Sequence, residues 1–407
     1  MASPPTVSSA SNPRYEWAIL HLSFILIGVI TTLLGPILPS FSHRWLLSDA
    51  QAGVFFASQY FGATVGVLLT SVLLPRFGFA RVCAGAFVAF CVGFTFLGFG
   101  PWLISAFMTG VNGFGYGLAN PSINLRATQL PSKNTAGAVT FLNFSWSAGA
   151  VLCPFLVGGL IPAIHLHGFA WLIAGAALVL VMLHLSLRGS QVTAHPARAI
   201  HPLADWIAHL RVPQAKPLLL IFCLYVGVEV ALGGWVASFE KRLPGMSAVT
   251  IVIAPSVFYG ALLVGRGVAP FALRRVSQIV ISAGGLLLAT VGGTIIAMSS
   301  SPQILYLGSA IAGFGLAPQF PIYVTWLAAI FKQDSTWIGA LFFAATGVGG
   351  GVVPWLVGIV SATTHSLRAG LIIPLATTVL MIFFILQARP SREATVTAVL
   401  ESSSGRR

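Results

Sequence analysis

The chain has 407 residues, of which 57% are hydrophobic and 7% charged, with a formal net charge of +13 at pH 7. Soluble domains carry about 25% charged residues, so no soluble fold hides this much apolar surface and the composition is that of an integral membrane protein. The positive charge is spread over alternate loops rather than gathered on one face, which excludes a nucleic-acid partner.

In chain order, residues 1–15 open with a Ser/Pro-rich stretch that lacks the basic-then-apolar build of a cleaved signal, and they read as a disordered cytoplasmic tail. Apolar runs bounded by charges, Pro and Gly then predict twelve spans, at 16–41, 50–74, 80–99, 102–126, 134–161, 166–187, 216–239, 248–268, 275–298, 303–330, 336–361 and 367–388. The longest polar interruption, 188–215, divides them six and six as a cytoplasmic linker between bundles at 16–187 and 216–388. Trp206 and Ile207 within it suggest a short helix along the inner surface. Residues 389–407 form a second disordered cytoplasmic tail. The fold class expected is an all-α integral membrane protein.

Loop charge sets the orientation. Arg76 and Arg81, Arg126 and Lys133, the linker, Arg266 with Arg274 and Arg275, and Lys332 share one side with both tails, whereas the opposite loops hold only Arg44, Lys241, Arg242 and Arg368. Basic loops stay in the cytoplasm, so both termini are expected there, in a bacterial inner membrane. Cys83, Cys91, Cys153 and Cys223 lie in apolar spans without metal-type spacing and read as small core residues. No metal or cofactor is implied. No Gly-Lys-Ser/Thr phosphate loop, Ser-His-Asp set or paired carboxylate occurs in the spans, which argues against an enzyme.

Glu229 is the acid that falls well inside a long apolar run; the other seven carboxylates sit at run ends, loops or tails. Counted from Lys216 at about 1.5 Å per residue, it lies roughly 20 Å along its helix, near the middle of a ~30 Å hydrocarbon core. An ionisable group there is costly and by default functional; the bland alternative is a carboxyl that only fixes packing.

The two halves repeat at an offset of 200 residues: Gly113-Phe114-Gly115 with Gly313-Phe314-Gly315, Pro121 with Pro321, Pro154 with Pro354, and Leu156-Val157-Gly158 with Leu356-Val357-Gly358. Parallel repeats of six spans relate the halves of major facilitator transporters, and imply a cleft between two bundles that rock about it. Ser71-Val72-Leu73-Leu74-Pro75-Arg76-Phe77-Gly78 resembles a degraded form of that family's loop signature. Pro75 replaces the acid and Ser71 the first Gly, while Arg76 and Gly78 remain; Gly260 to Gly265-Arg266 is its partial counterpart. The resemblance implies gating roles for Arg76, Gly78 and Arg266.

A narrower resemblance lies in Tyr225-Val226-Gly227-Val228-Glu229, which is similar to the Tyr-x-Gly-x-Glu segment of the fucose permease and glucose/galactose transporter group. Asn120-Pro121 and the Gly349–Pro354 run point the same way. That group carries acids on spans one and four tied to proton coupling. Here span one offers Leu33-Leu34-Gly35-Pro36 and the span-four acid is replaced around Tyr116, which leaves Glu229 as the carboxylate for any coupling. The group's sugar-binding amide on span five corresponds to Asn143.

Sugars need hydrogen bonds to hydroxyls and flat apolar surfaces. Mid-span residues of those kinds are Glu229, Asn143, Asn120, Asn124, Gln59, Tyr225, Trp235, Gln319, Trp146 and Tyr116. Each amide alone reads more readily as interhelical glue than as a ligand contact, and only their recurrence on the spans that would face a central cleft brings the two readings level. Arg126 is expected to meet headgroups or an opposing helix end. The function expected is secondary transport of a monosaccharide or related small polar solute by alternating access, with coupling to a proton through Glu229, or to sodium, by a monomer in the lipid bilayer. The alternatives are a polyspecific drug or metabolite efflux carrier, a facilitative sugar uniporter and, more remotely, a non-transporting membrane receptor.

Overall fold

The computed structural model describes residues 12–131, 135–187, 208–246 and 253–389. Both predicted tails, most of the linker and the surface helix suggested at Trp206 lie outside the described residues. The described residues are helical, without strands: α1 Pro13–Thr32, α2 Leu34–Trp45, α3 Asp49–Phe77, α4 Phe79–Phe96, α5 Trp102–Gln129, α6 Thr135–Ser186, α7 Ala215–Glu240, α8 Ala254–Ala272, α9 Gln278–Met298, α10 Pro302–Leu316, α11 Gln319–Phe331, α12 Ser335–Thr364, α13 Leu367–Gly370 and α14 Ile372–Ala388. Among these residues, nine helices are long and apolar enough to cross a bilayer.

Proline explains where passes are interrupted. Pro36 has no N–H for the carbonyl of Thr32, and the first pass divides there into α1 and α2. Pro318 does the same between α10 and α11. The opposite departure is α6, whose 52 residues would reach roughly 78 Å if straight, more than twice a bilayer. His165 sits inside it at φ 58°, ψ 170° and turns the chain back, so α6 supplies two passes. With these breaks allowed for, the helices trace the twelve passes of two six-helix halves.

The chain forms two compact units, residues 1–34 with 58–199 and residues 35–57 with 200–407. This departs from the expected boundary at the linker, because Gly35–Ala57 goes with the second half. Close packing explains it: Gly35 lies against the backbone of Gly233 and Gly234, and Phe56 against Trp235, their rings 5.9 Å apart.

The sequence repeat reappears as repeated packing. In the first unit α1 packs on α6, and α4 on α5 and α6; in the second α7 packs on α12 and α14, and α10 on α8 and α9. Gly149 on α6 is pressed against the carbonyl of Ile25 on α1, and its counterpart Gly349 on α12 against the carbonyl of Cys223 on α7. Likewise Gly113 on α5 meets the carbonyl of Gln59 on α3, and Gly313 on α10 that of Phe258 on α8. A Cβ at any of the four would collide with backbone. In lipid, helices associate by packing rather than by the hydrophobic effect, which is why small residues occupy these crossings.

Candidate functional site

In the second unit, the helical spacing of α7 places Tyr225 one turn before Glu229, and the phenol donates a short hydrogen bond to Glu229 Oε2. Arg266 of α8 brings Nη2 to 3.6 Å from the same oxygen. The carboxylate side chain is 13% exposed and the guanidinium 26%, so both keep an open edge. Phe320 lies nearly parallel to the Tyr225 ring at 6.0 Å, and Tyr323 edge-on at 6.0 Å. An acceptor and a donor thus stand side by side, next to a packed aromatic cluster in which Tyr225 and Tyr323 are buried. That pairing suits adjacent hydroxyls, each of which gives one hydrogen bond and takes another. Arg266 was expected in a gating loop; the structure places it inside α8, on Glu229.

In the first unit three predicted amides come together. Asn124 Nδ2 donates to Asn120 Oδ1 at 3.2 Å, and Asn143 Nδ2 donates to Asn124 Oδ1 at 3.2 Å. Asn143 is exposed, and its side-chain oxygen has no hydrogen bond among the described residues. On the same stretch of α6, Trp146 Nε1 donates to Thr31 Oγ1 at 3.1 Å and Ser145 meets His21 Nδ1 at 2.7 Å. Tyr116 is half-buried on α5.

Residues 20–299 match the model of the Major Facilitator Superfamily. The chain belongs to that superfamily. It is therefore a multi-pass membrane protein of a transporter family. It is 22% identical over 381 residues to the sodium-dependent glucose transporter 1A of Mus musculus, across 84% of this chain and 88% of the relative. Its fold matches that of the E. coli fucose:proton symporter with a TM-score of 0.66 at 16% identity, over 92% of this chain and 98% of the symporter. The nucleoside transporter NupG gives a TM-score of 0.75 at 17% identity, over 92% and 100% of the two chains.

Other predicted site residues in this superfamily member are used for packing. Gln319 is fully buried with its capacity spent: Oε1 accepts from Ser282 Oγ at 2.7 Å and Tyr323 Oη at 2.8 Å, and Nε2 donates to the carbonyls of Ser282 and Gly315, both at 3.1 Å. It joins α9 to α11 and leaves nothing for a solute. Trp235 is fully buried and donates to the Pro354 carbonyl at 2.9 Å, so it seals α7 against α12 instead of lining a cleft. Gln59 is 3% exposed where α3 meets Gly113. Of the gating residues, Arg76 is exposed in the last turn of α3, and Gly78, at φ 77°, makes the sharp entry into α4 that a left-handed position reserves for glycine.

Sequence reasoning missed three acids because they fall at the ends of apolar runs. Glu16, 1% exposed in the first turn of α1, receives Arg126 Nε at 2.6 Å and Nη2 at 3.0 Å, so of the two partners expected for Arg126 it is the opposing helix end that the structure shows. Asp49 receives Arg242 and Ser361. Glu240, fully buried, accepts the N–H groups of Ile253 and Ala254 and the Tyr306 hydroxyl at the head of α8. For Glu16 and Asp49 the available signal was a basic residue at the matching end of another run; Glu240, held by backbone N–H groups and a phenol, offered none.

Proposed function

We propose that this protein is a secondary transporter of a monosaccharide or a related small polar solute. It works by alternating access as a monomer in a bacterial inner membrane, both termini cytoplasmic. The observation that carries this reading is the Glu229–Arg266–Tyr225 cluster. A charged acceptor and a charged donor, each partly open, sit beside a packed aromatic cluster near mid-membrane. A charge pair at that depth is expensive to maintain without a use. It is neutral as a pair, which suits an uncharged polyol, and its two hydrogen-bonding senses match a vicinal diol. The names of the mouse glucose transporter and of the fucose symporter support the same solute class.

Accumulation would draw on a proton or sodium gradient, with Glu229 as the coupling carboxylate. The experiment is uptake into proteoliposomes of the purified protein, across a panel of labelled hexoses, pentoses and polyols, with an imposed proton gradient, an imposed sodium gradient, or neither. Saturable uptake of one monosaccharide, accelerated by one gradient, is the expected result. Uptake indifferent to both gradients makes the protein a uniporter. No flux of any sugar, together with resistance to lipophilic cations in expressing cells, replaces this reading with efflux.

A further inference from the structure

His21 lies eight residues into α1, roughly 12 Å from its start at 1.5 Å per residue. Its ring is held from three directions. Ser145 Oγ on α6 meets Nδ1 at 2.7 Å; Trp17, one turn earlier, lies 5.9 Å away at 33°; Phe141 of α6 stands edge-on at 5.1 Å. Nε2 makes no hydrogen bond among the described residues, and it is not among their sealed, unpartnered atoms. The residue is half-buried, and Nε2 is not enclosed.

A second histidine in the same unit shows what a packing role looks like. His184 is 0% exposed, bonds Ser23 Oγ through Nε2 at 3.0 Å, and stacks on Phe87 with Phe79 edge-on. Its other nitrogen is enclosed. Of these two, His21 alone is both fixed and open. The charged groups at this end of the unit, Glu16 and Arg126, are engaged with each other. Asn143, two residues before Ser145 on the same helix, is likewise exposed with an unused amide oxygen.

Polar groups with spare capacity inside a membrane mark a water-filled or ligand-filled space. We propose that His21 binds the transported solute, with Nε2 exchanging a hydrogen bond with a solute hydroxyl while Ser145 holds the ring through Nδ1. Imidazole suits a hydroxyl because the nitrogen opposite a fixed Nδ1 either accepts or donates according to tautomer, without a charge being introduced. This deepens the sugar-transport reading and rests on it.

The test separates the two nitrogens. An asparagine amide reaches about as far as Nδ1 and keeps the Ser145 bond; a glutamine amide reaches about as far as Nε2. Equilibrium binding of the monosaccharide that the wild type takes up is measured on purified protein, with the melting temperature recorded for each variant. His21→Asn is expected to weaken binding by about five- to tenfold, one neutral hydrogen bond, at unchanged melting temperature, while His21→Gln stays within about threefold of the wild type. Wild-type affinity in His21→Asn overturns the proposal. So does equal loss in both variants accompanied by a lower melting temperature, since the ring would then only pack α1 on α6. Should His21→Asn not fold, the wild type decides. Diethyl pyrocarbonate modification of His21, mapped by peptide mass, is expected to be blocked by the solute, and modification unaffected by saturating solute overturns the proposal. A wild type that binds no monosaccharide at all overturns the underlying reading instead.

Discussion

Arg242 closes on Asp49 with both terminal nitrogens, Nη1 to Oδ2 at 2.9 Å and Nη2 to Oδ1 at 2.5 Å. Ser361 adds a third hydrogen bond to that carboxylate at 2.5 Å. The clasp joins the first residue of α3 to the segment after α7 and to α12. Beside it Gly358 of α12 packs on the backbone of Asp49 and on the Trp235 ring. Arg242 is 46% exposed and Asp49 13%, so solvent screens much of the charge attraction.

Removing the Asp49 charge therefore costs little, about 1 kcal/mol. Asp49→Asn is expected to lower the melting temperature of the purified protein by a few degrees at most. The swap Asp49→Arg with Arg242→Asp recovers part of the loss. No recovery in the swap would mean that the groups do not act as a pair.

The Glu16–Arg126 pair is a different case because it is enclosed. Breaking a buried pair strands a charge and costs about 3–5 kcal/mol, whereas removing both partners costs much less. Glu16→Gln is expected to reduce folded yield and thermal stability sharply, and Glu16→Gln with Arg126→Gln to restore most of both. Size-exclusion profiles and melting curves of the three proteins check this.

Glycine substitutions separate crossing points from open helix faces. Gly349→Ala drives a methyl group into the Cys223 carbonyl, backbone against backbone, and is expected to destabilise by about 1–3 kcal/mol. Gly284→Ala, on α9 with nothing within 4 Å of the added carbon, is expected to be neutral or to stabilise by up to about 1 kcal/mol through helix propensity. Melting temperatures moving in the same direction would contradict the repeat packing.

Gln319 offers a control on the site. With its four hydrogen bonds taken inside the fold, Gln319→Leu is expected to lower stability, because the Ser282 and Tyr323 hydroxyls lose their partner, while the KM for solute stays at the wild-type value. A raised KM at intact stability would return Gln319 to the solute site.

The fold was readable because membrane physics leaves few choices: apolar runs of bilayer length must be helices. The offset between Gly113 and Gly313 also survives into three dimensions as the same crossing in each half. Glu229 was legible for the same reason, as a charge in an apolar run. Its partner Arg266 was not, since the resemblance assigned it to gating and nothing in the sequence pairs a residue of one span with an acid on another. Gln319, Trp235 and Gln59 looked like site residues by type and depth. Which way a side chain faces on a helix buried on several sides is set by neighbours distant in sequence, and periodicity does not report it. His21 went unnoticed because its role depends on Ser145, more than a hundred positions away.

The account turns on Glu229 contacting solute, and initial-rate uptake of the transported monosaccharide into proteoliposomes measures that most directly. Hydrogen bonds to a charged group are worth about 1.5–3 kcal/mol, so Glu229→Gln is expected to lower kcat/KM by roughly ten- to a hundredfold in protein that melts at the wild-type temperature. Uptake by the variant at the wild-type rate and affinity would contradict the account.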